Sequence, residues 1–438
     1  PPRSTLFPYT TLFRSLGMII LGLADTIMIG HHSTEELAAA AFVNNVFNLA
    51  IIFATGFSYG LTPLIGMLQG GGNTQGIGRV FRNALAANAS VAVLLTAVMY
   101  TVYCFVDKLG QPEELLPHIR PYFVLQLISL LFIMLFNGFR QFAEGLTDTR
   151  TPMWILLGGN ALNIFGNYLL IYGSFGFPEW GLFGAGVSTL VSRIVMLLVF
   201  IGVVAVARRY KVYREAILRS RFNRNDFIQL NALGWPIALQ MGMETAAFSL
   251  SAIMVGWLGS IPLAAHQIMI SVSTIGFMVY YGMGAALAVR VSHFMGQKDF
   301  PNLRRAVNSG MGIILSLAIV ASLFFYLART PIIYSFTEDH EVMIVVSSLI
   351  FSLIVYQFGD ALQITFANAL RGTTDVKPMM WIAFFSYFIV ALPVGYLCGF
   401  TWGGGVVGVW VAFPAGLFTA GFLFWLRFRY RLQQLMKK

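Results

Sequence analysis

Charge is scarce in this chain. Only 11% of its 438 residues are Asp, Glu, Lys or Arg, too few to clothe a soluble globule of that length. Cysteine is scarcer still, and Cys104 and Cys398 both lie in apolar runs, which excludes a disulfide framework and a thiolate metal centre. The glycine run from Gly70 to Gly78, G-G-G-N-T-Q-G-I-G, ends without Lys-Ser/Thr and follows no strand, so it is a turn and not a phosphate cradle. Acids outside the apolar runs, such as Asp148, Asp299 and Asp375, are scattered. That excludes the clustered magnesium carboxylates of an enzyme acting on prenyl phosphates.

Apolar sequence fills the space left. Hydrophobic residues make up 57% of the chain, and the mean hydropathy is +0.74. Repeated apolar runs of 20 or so residues imply an all-α integral membrane protein. The runs predict twelve transmembrane helices, near 16–30, 37–68, 84–106, 119–145, 153–173, 182–207, 230–258, 263–295, 306–328, 342–370, 379–399 and 407–426. Residues 1–15, P-P-R-S-T-L-F-P-Y-T-T-L-F-R-S, resemble a translated sequencing-library adapter and are set aside. The first helix is then expected to be truncated, since 15 residues at about 1.5 Å each fall short of a hydrocarbon core of about 30 Å.

The formal charge of +10 is placed topologically. Alternate loops and the tail hold 20 Lys and Arg, and the remaining loops hold only Lys108, Arg120 and Arg329. That asymmetry puts both termini and the Arg208–Arg224 loop in the cytoplasm, with no call for nucleic acid. The expected organisation is a six-helix lobe over 16–207, a basic linker over 208–229 able to touch anionic lipid, a second six-helix lobe over 230–426, and a basic tail over 427–438.

The two lobes repeat. A shift of 226 residues sets Ile27–Gly30 (I-M-I-G) on Ile253–Gly256 (I-M-V-G), Leu37–Ala39 on Leu263–Ala265, Gly56 on Gly282, Leu61 on Leu287, Gly70 on Gly296, Arg79 on Arg305 and Pro152 on Pro378. Six helices repeated in one orientation form a parallel internal repeat, an arrangement of secondary transporters that work by alternating access.

Inside the apolar runs lie a few acids. Glu144 has Arg140 four residues before it, the spacing of an intrahelical pair. Asp25, Glu244 and Asp360 have no cation at that spacing. A carboxylate near the bilayer centre costs about 2.5 to 3.5 kcal/mol on insertion scales, so these three are candidate sites for ions or substrate. Tyr356, one turn before Asp360, shares its face. Arg193 and Arg290 line the interior or snorkel. His266 reads as a packed residue, and His31 and His32 as a short external turn without a metal partner set.

Three stretches carry a family resemblance: D-T-I-M-I-G followed by L-A-A; L-A-A-H-Q-I with R-V-S-H-F-M-G-Q (Arg290–Gln297); and Y-Q-F-G-D with L-R-G-T-T-D-V-K-P. Together, and in this order, they resemble the multidrug and toxic compound extrusion (MATE) transporters, and within them the NorM branch. The resemblance implies that Glu244, Asp360 and Tyr356 bind the coupling cation in the second lobe. It implies a second cation site from Asp25 with Asn163, Asn167 and Thr189 in the first; where some relatives carry an aspartate, Asn167 removes a charge.

The implied function is multidrug efflux by cation-coupled antiport, with no catalysis and no cofactor beyond sodium or a proton. Oxygen ligands in number favour sodium, whereas a proton needs only one carboxylate. Partners are then organic cations, the coupling cation and the bilayer of a bacterial inner membrane, around a monomer. Aromatics at 15% and 19 Met supply an adaptable wall for lipophilic cations. A lipid-linked oligosaccharide flippase shares the architecture but would want cations in its cavity, and a major-facilitator carrier lacks these signatures.

Overall fold

The computed structural model describes residues 24–437, and every regular element among them is helical. In chain order these are α1 (24–32), α2 (Thr34–Ser58), α3 (Leu61–Gly70), α4 (Thr74–Cys104), α5 (Leu116–Gly145), α6 (Arg150–Ile171), α7 (Gly181–Val206), α8 (Lys211–Arg219) and α9 (Arg224–Gly256). There follow α10 (Ser260–Gln297), α11 (Phe300–Leu327), α12 (Arg329–Phe336), α13 (His340–Gly372), α14 (Lys377–Phe384), α15 (Leu392–Tyr396), α16 (Gly405–Trp410) and α17 (Ala412–Met436). Among the described residues, eleven helical stretches are long and apolar enough to cross a membrane. They match the second to twelfth expected segments; the adapter-like residues and most of the first segment lie outside the described residues.

The helices overrun the apolar runs, because a helix ends where its backbone is capped and not where hydrophobicity fades. The segment expected to begin at 84 begins at Thr74, where the Asn73 side chain accepts the Gly76 N–H at 2.8 Å. The penultimate span is interrupted by π-helical turns over Phe385–Ala391 and Leu397–Thr401. Pro393 lies between them and brings no N–H, so the register slips there to keep neighbouring carbonyls engaged.

The chain divides into two compact units, the first ending at Ala238 and the second beginning at Leu239, within α9. In the first, α5 packs against α2, α4 and α7; in the second, α13 packs against α10, α11 and α17. Residues 208–229, expected as a linker, are folded onto the first unit. Tyr213 donates to Gln69 Oε1 at 2.8 Å, Asn83 Oδ1 accepts the Asn223 N–H at 3.0 Å, and Arg79 pairs with Asp226 at 2.6 Å. Within this stretch α8 covers α4.

The repeat is carried by backbone detail. Asn73 caps α4 through Gly76, and Asp299 caps α11 through the Asn302 N–H at 3.1 Å, each pair displaced by the same offset. Both units also carry a turn in which a threonine has positive φ, 65° at Thr147 and 59° at Thr374. The next residue is an aspartate whose N–H reaches back to close the turn, Asp148 to Ala143 at 2.9 Å and Asp375 to Leu370 at 3.0 Å. Both aspartates meet arginine, Asp148 with Arg209 at 2.8 Å and Asp375 with Arg427 at 2.7 Å.

Before each turn stands a glycine pressed on a partner helix. A Cβ at Gly145 would stand 2.6 Å from Ile65, and one at Gly372 would stand 2.7 Å from Val291. Ile65 and Val291 are themselves 226 apart. Gly145→Val and Gly372→Val are therefore expected to lower stability by about 1 to 3 kcal/mol through overpacking. Gly158→Ala, which meets nothing within 4 Å, is expected to unfold at or above the native temperature. Thermal unfolding of the purified protein in detergent checks all three.

Candidate functional site

In the second unit the predicted acids come together. Successive turns of α13 put Tyr356, Asp360 and Gln363 on one face, opposite Gln240 and Glu244 of α9 and Tyr387 of the π-helical turn. Glu244 Oε2 accepts from Gln240 Nε2 at 2.9 Å and from Gln363 Nε2 at 3.2 Å. Gln363 also lies 3.3 Å from the Tyr387 hydroxyl. Arg371 stands one amide away, donating to Gln240 Oε1 at 2.7 Å.

Asp360 is held differently. It is 1% exposed, and its Oδ2 has no hydrogen-bond partner. The Gln357 amide, the Tyr280 hydroxyl and the Ser386 hydroxyl are likewise buried without partners. Asp360 interacts electrostatically with Glu244, Tyr280 and Tyr356. An unmet buried polar group costs about 1 to 3 kcal/mol, so this interior carries unused capacity to bind a proton, a small cation or water. Tyr356 also packs edge-on against Phe248 and Phe413, with ring centroids 6.3 and 6.4 Å apart. Phe248 stacks on Phe413 at 4.8 Å, and the acids therefore border an aromatic wall.

In the first unit, all four predicted residues also meet. Asn167 Nδ2 donates to Asp25 Oδ1 at 2.6 Å. With its amide turned to satisfy every neighbour, Asn163 donates to the same oxygen at 2.9 Å and accepts from the Thr189 hydroxyl and N–H, each at 3.2 Å. Arg193, one turn after Thr189, donates to Gln126 Oε1 at 3.0 Å and to Ser129 Oγ. It acts electrostatically on Asp25. Arg193 therefore lines the interior and does not snorkel.

Several partners were missed from sequence. Gln240 lies one turn before Glu244 and Gln363 one turn after Asp360, so spacing could have found them. Tyr387 and the approach of Arg193 to Asp25 are tertiary and left no local signal. Arg371 sits where an apolar run gives way to G-T-T-D, a position that reads as a loop charge; the structure buries it, 7% exposed, against Gln240. His32 is no idle turn residue. It bridges Glu36 at 2.8 Å and Glu179 at 3.0 Å, while Glu36 accepts the Leu182 N–H at 2.9 Å and so ties the starts of α2 and α7. His266 is packed as expected, accepting from Trp410 Nε1 at 3.1 Å. Arg140 and Glu144 pair at 3.8 Å.

Known proteins match nearly the whole chain. The MatE family model matches residues 11–169 and 236–397. A protein named multidrug resistance protein NorM, from Photobacterium profundum, is 30% identical over 433 residues, covering 96% of this chain and 93% of its own. A probable multidrug resistance protein NorM from Photorhabdus laumondii is 26% identical over 436 residues, covering 99% and 96%. Among solved structures, one described as the outward-facing conformation of a multidrug resistance MATE family transporter of the MOP superfamily superposes with a TM-score of 0.88. It is 20% identical and covers 99% of this chain and 96% of its own, which bears on fold alone.

Gln363→Leu removes a donor from both Glu244 and Tyr387 while keeping nearly the same volume. It is expected to cost about 1 to 3 kcal/mol, the penalty for a buried polar partner left unmet. The matching change at Gln267, which is exposed, is expected to shift unfolding by less than about 0.5 kcal/mol. Thermal unfolding in detergent separates the two.

Proposed function

Because this chain belongs to the MatE family of multidrug and toxic compound extrusion transporters, we propose that it exports organic cations across a bacterial inner membrane in exchange for sodium ions or protons. The observation that carries the reading is the Asp360 carboxylate, buried with an unpartnered oxygen beside Glu244 and against the aromatic wall of Tyr356, Phe248 and Phe413. The family membership and the NorM relatives support efflux over the lipid-linked oligosaccharide flippase that the architecture alone would also allow.

The mechanism follows from charge. A lipophilic cation entering this surrounding exchanges water for carboxylate pairing and ring faces, each strengthened where solvent is excluded. A sodium ion or proton makes the same charge pairing. The two positive species therefore compete for Glu244 and Asp360, and each is released by the other's arrival from the opposite side. Tyr356 holds its hydroxyl near the acids while its ring closes the aromatic side. The buried amides and hydroxyls of Gln357, Tyr280 and Tyr387 supply the further oxygens that a desolvated sodium ion requires. Asp25, with Asn163, Asn167 and Thr189, is the second place that draws positive charge. No covalent step is needed. The topology we infer, with both termini in the cytoplasm, rests on the 20 to 3 distribution of Lys and Arg between alternate loops.

In a pump-deficient bacterium, expression of this protein is expected to lower ethidium accumulation. Glu244→Gln and Asp360→Asn are each expected to abolish that effect with the protein still present in the membrane. In proteoliposomes, a sodium gradient and a pH gradient imposed separately identify the ion. Native efflux under neither gradient, or full efflux by both variants, would overturn the proposal.

A further inference from the structure

Between α7 and α9 lies a segment that the transport reading does not use. Residues 208–224 hold seven Lys and Arg and a single acid, Glu215. Two of those cations are taken up within the protein, Arg209 by Asp148 and Arg214 by the Ala205 carbonyl. Arg208, Lys211, Arg219, Arg221 and Arg224 are exposed. Among the described residues, none of these five is in an ion pair.

The helix in this segment, α8, has one face occupied and one open. Tyr213 donates to Gln69 Oε1 of α3 at 2.8 Å, the Ser220 carbonyl just past α8 accepts from Arg82 of α4, and a Cβ at Gly78 of α4 would stand 2.5 Å from Ala216. Lys211, Val212, Glu215, Leu218 and Arg219 are exposed. Leu218 is 74% exposed and Phe222, just past the helix, 60%, an apolar display that is unfavourable in water. Its depth is set by α4. The apolar run of α4 begins near residue 84, and Gly78 and Arg82 precede it by about 3 to 9 Å along the helix. The polar layer outside the hydrocarbon core is about 5 to 8 Å deep on each side, so α8 lies among headgroups. The membrane helix before it, α7, ends only a few residues earlier, at Val206.

Exposed apolar side chains set among cations without an acid partner, at headgroup depth, fit one kind of surface. Nucleic acid would match the charge and leave Leu218 and Phe222 in water, and a protein partner would have to displace headgroups to reach them. An anionic phospholipid satisfies both, with phosphate against guanidinium and acyl chain against apolar side chain. We propose that α8 and its flanking arginines are a binding site for anionic phospholipid of the cytoplasmic leaflet. Arg219, Arg221 and Arg224 meet the headgroup phosphates, and Leu218 and Phe222 lodge at the acyl boundary. Because α8 also rests on α3 and α4, lipid bound there fastens one end of the first unit. The choice of leaflet rests on the topology inferred above; the binding itself does not.

In detergent micelles carrying a rising mole fraction of phosphatidylglycerol, the native protein is expected to unfold at a progressively higher temperature, with phosphatidylcholine giving no such rise. Arg219→Gln with Arg221→Gln and Arg224→Gln is expected to raise the midpoint mole fraction by about tenfold or more, since each basic residue near an anionic surface contributes about fivefold in affinity. Arg304→Gln with Arg305→Gln and Lys377→Gln makes the same charge change at exposed positions of the second half, and is expected to shift the midpoint by less than about threefold. Leu218→Ser with Phe222→Ser is expected to raise it by about threefold or more. Unfolding in phosphatidylcholine alone reports whether each variant is folded. Should the first triple variant not be, Arg221→Gln alone, expected to raise the midpoint by about threefold, decides in its place. The inference is overturned by absence of the native rise, by equal midpoints for the two triple variants, or by a native midpoint in Leu218→Ser with Phe222→Ser. The same rise from inorganic phosphate or RNA without anionic lipid would also overturn it. None of these measurements uses transport, so their failure leaves the efflux proposal standing.

Discussion

A carboxylate in a hydrocarbon layer must be met, and the interior of each half is arranged around that demand. Glu244 is met by two amides, with an arginine behind one of them; Asp25 is met by two amides, with an arginine alongside; Asp360 is met only in part. The helices carrying these residues cannot slide or rotate without breaking donors for which lipid offers no replacement. The acids therefore fix the packing as well as the chemistry. They are costly to keep at the centre of helices that are otherwise apolar.

The two halves share a scaffold without sharing a site. The caps at Asn73 and Asp299, the left-handed threonines at 147 and 374, and the glycines pressed on Ile65 and Val291 are the same devices, the turn and its glycine set one residue further along in the second half. The interior residues are not. At the repeat offset, Asp25 corresponds to Ser251 and Asp360 to Met134. Backbone contacts are constrained by close packing, where a single methyl group is felt. Polar interiors are free of that constraint, and the two halves set different side chains there.

Much of this was legible in the residue order. Span positions follow from run length, since about 20 apolar residues have few other uses, and the acids stand out because charge is rare inside such runs. Helix ends were less legible, because Asn73 or Asp299 decides them from outside the apolar run. Tertiary partners were not legible at all. Arg193 lies far along the chain from Asp25, and Tyr387 is placed by a register slip beside Pro393. Arg371 and α8 show a subtler failure: positive charge near a membrane boundary reads as topology, and here it also buttresses an acid in one case and covers a helix in the other.

The clasped turns have a consequence for biogenesis. Asp148 is fastened by Arg209 and Tyr210, just beyond the last membrane helix of the first half, and Asp375 by Arg427 near the end of the second. Each half thus contains its own latch, supplied by residues that lie late within that half. A chain synthesised past Ala238 holds the whole of the first compact unit, its latch included, so that bundle can close as a unit before the second is complete.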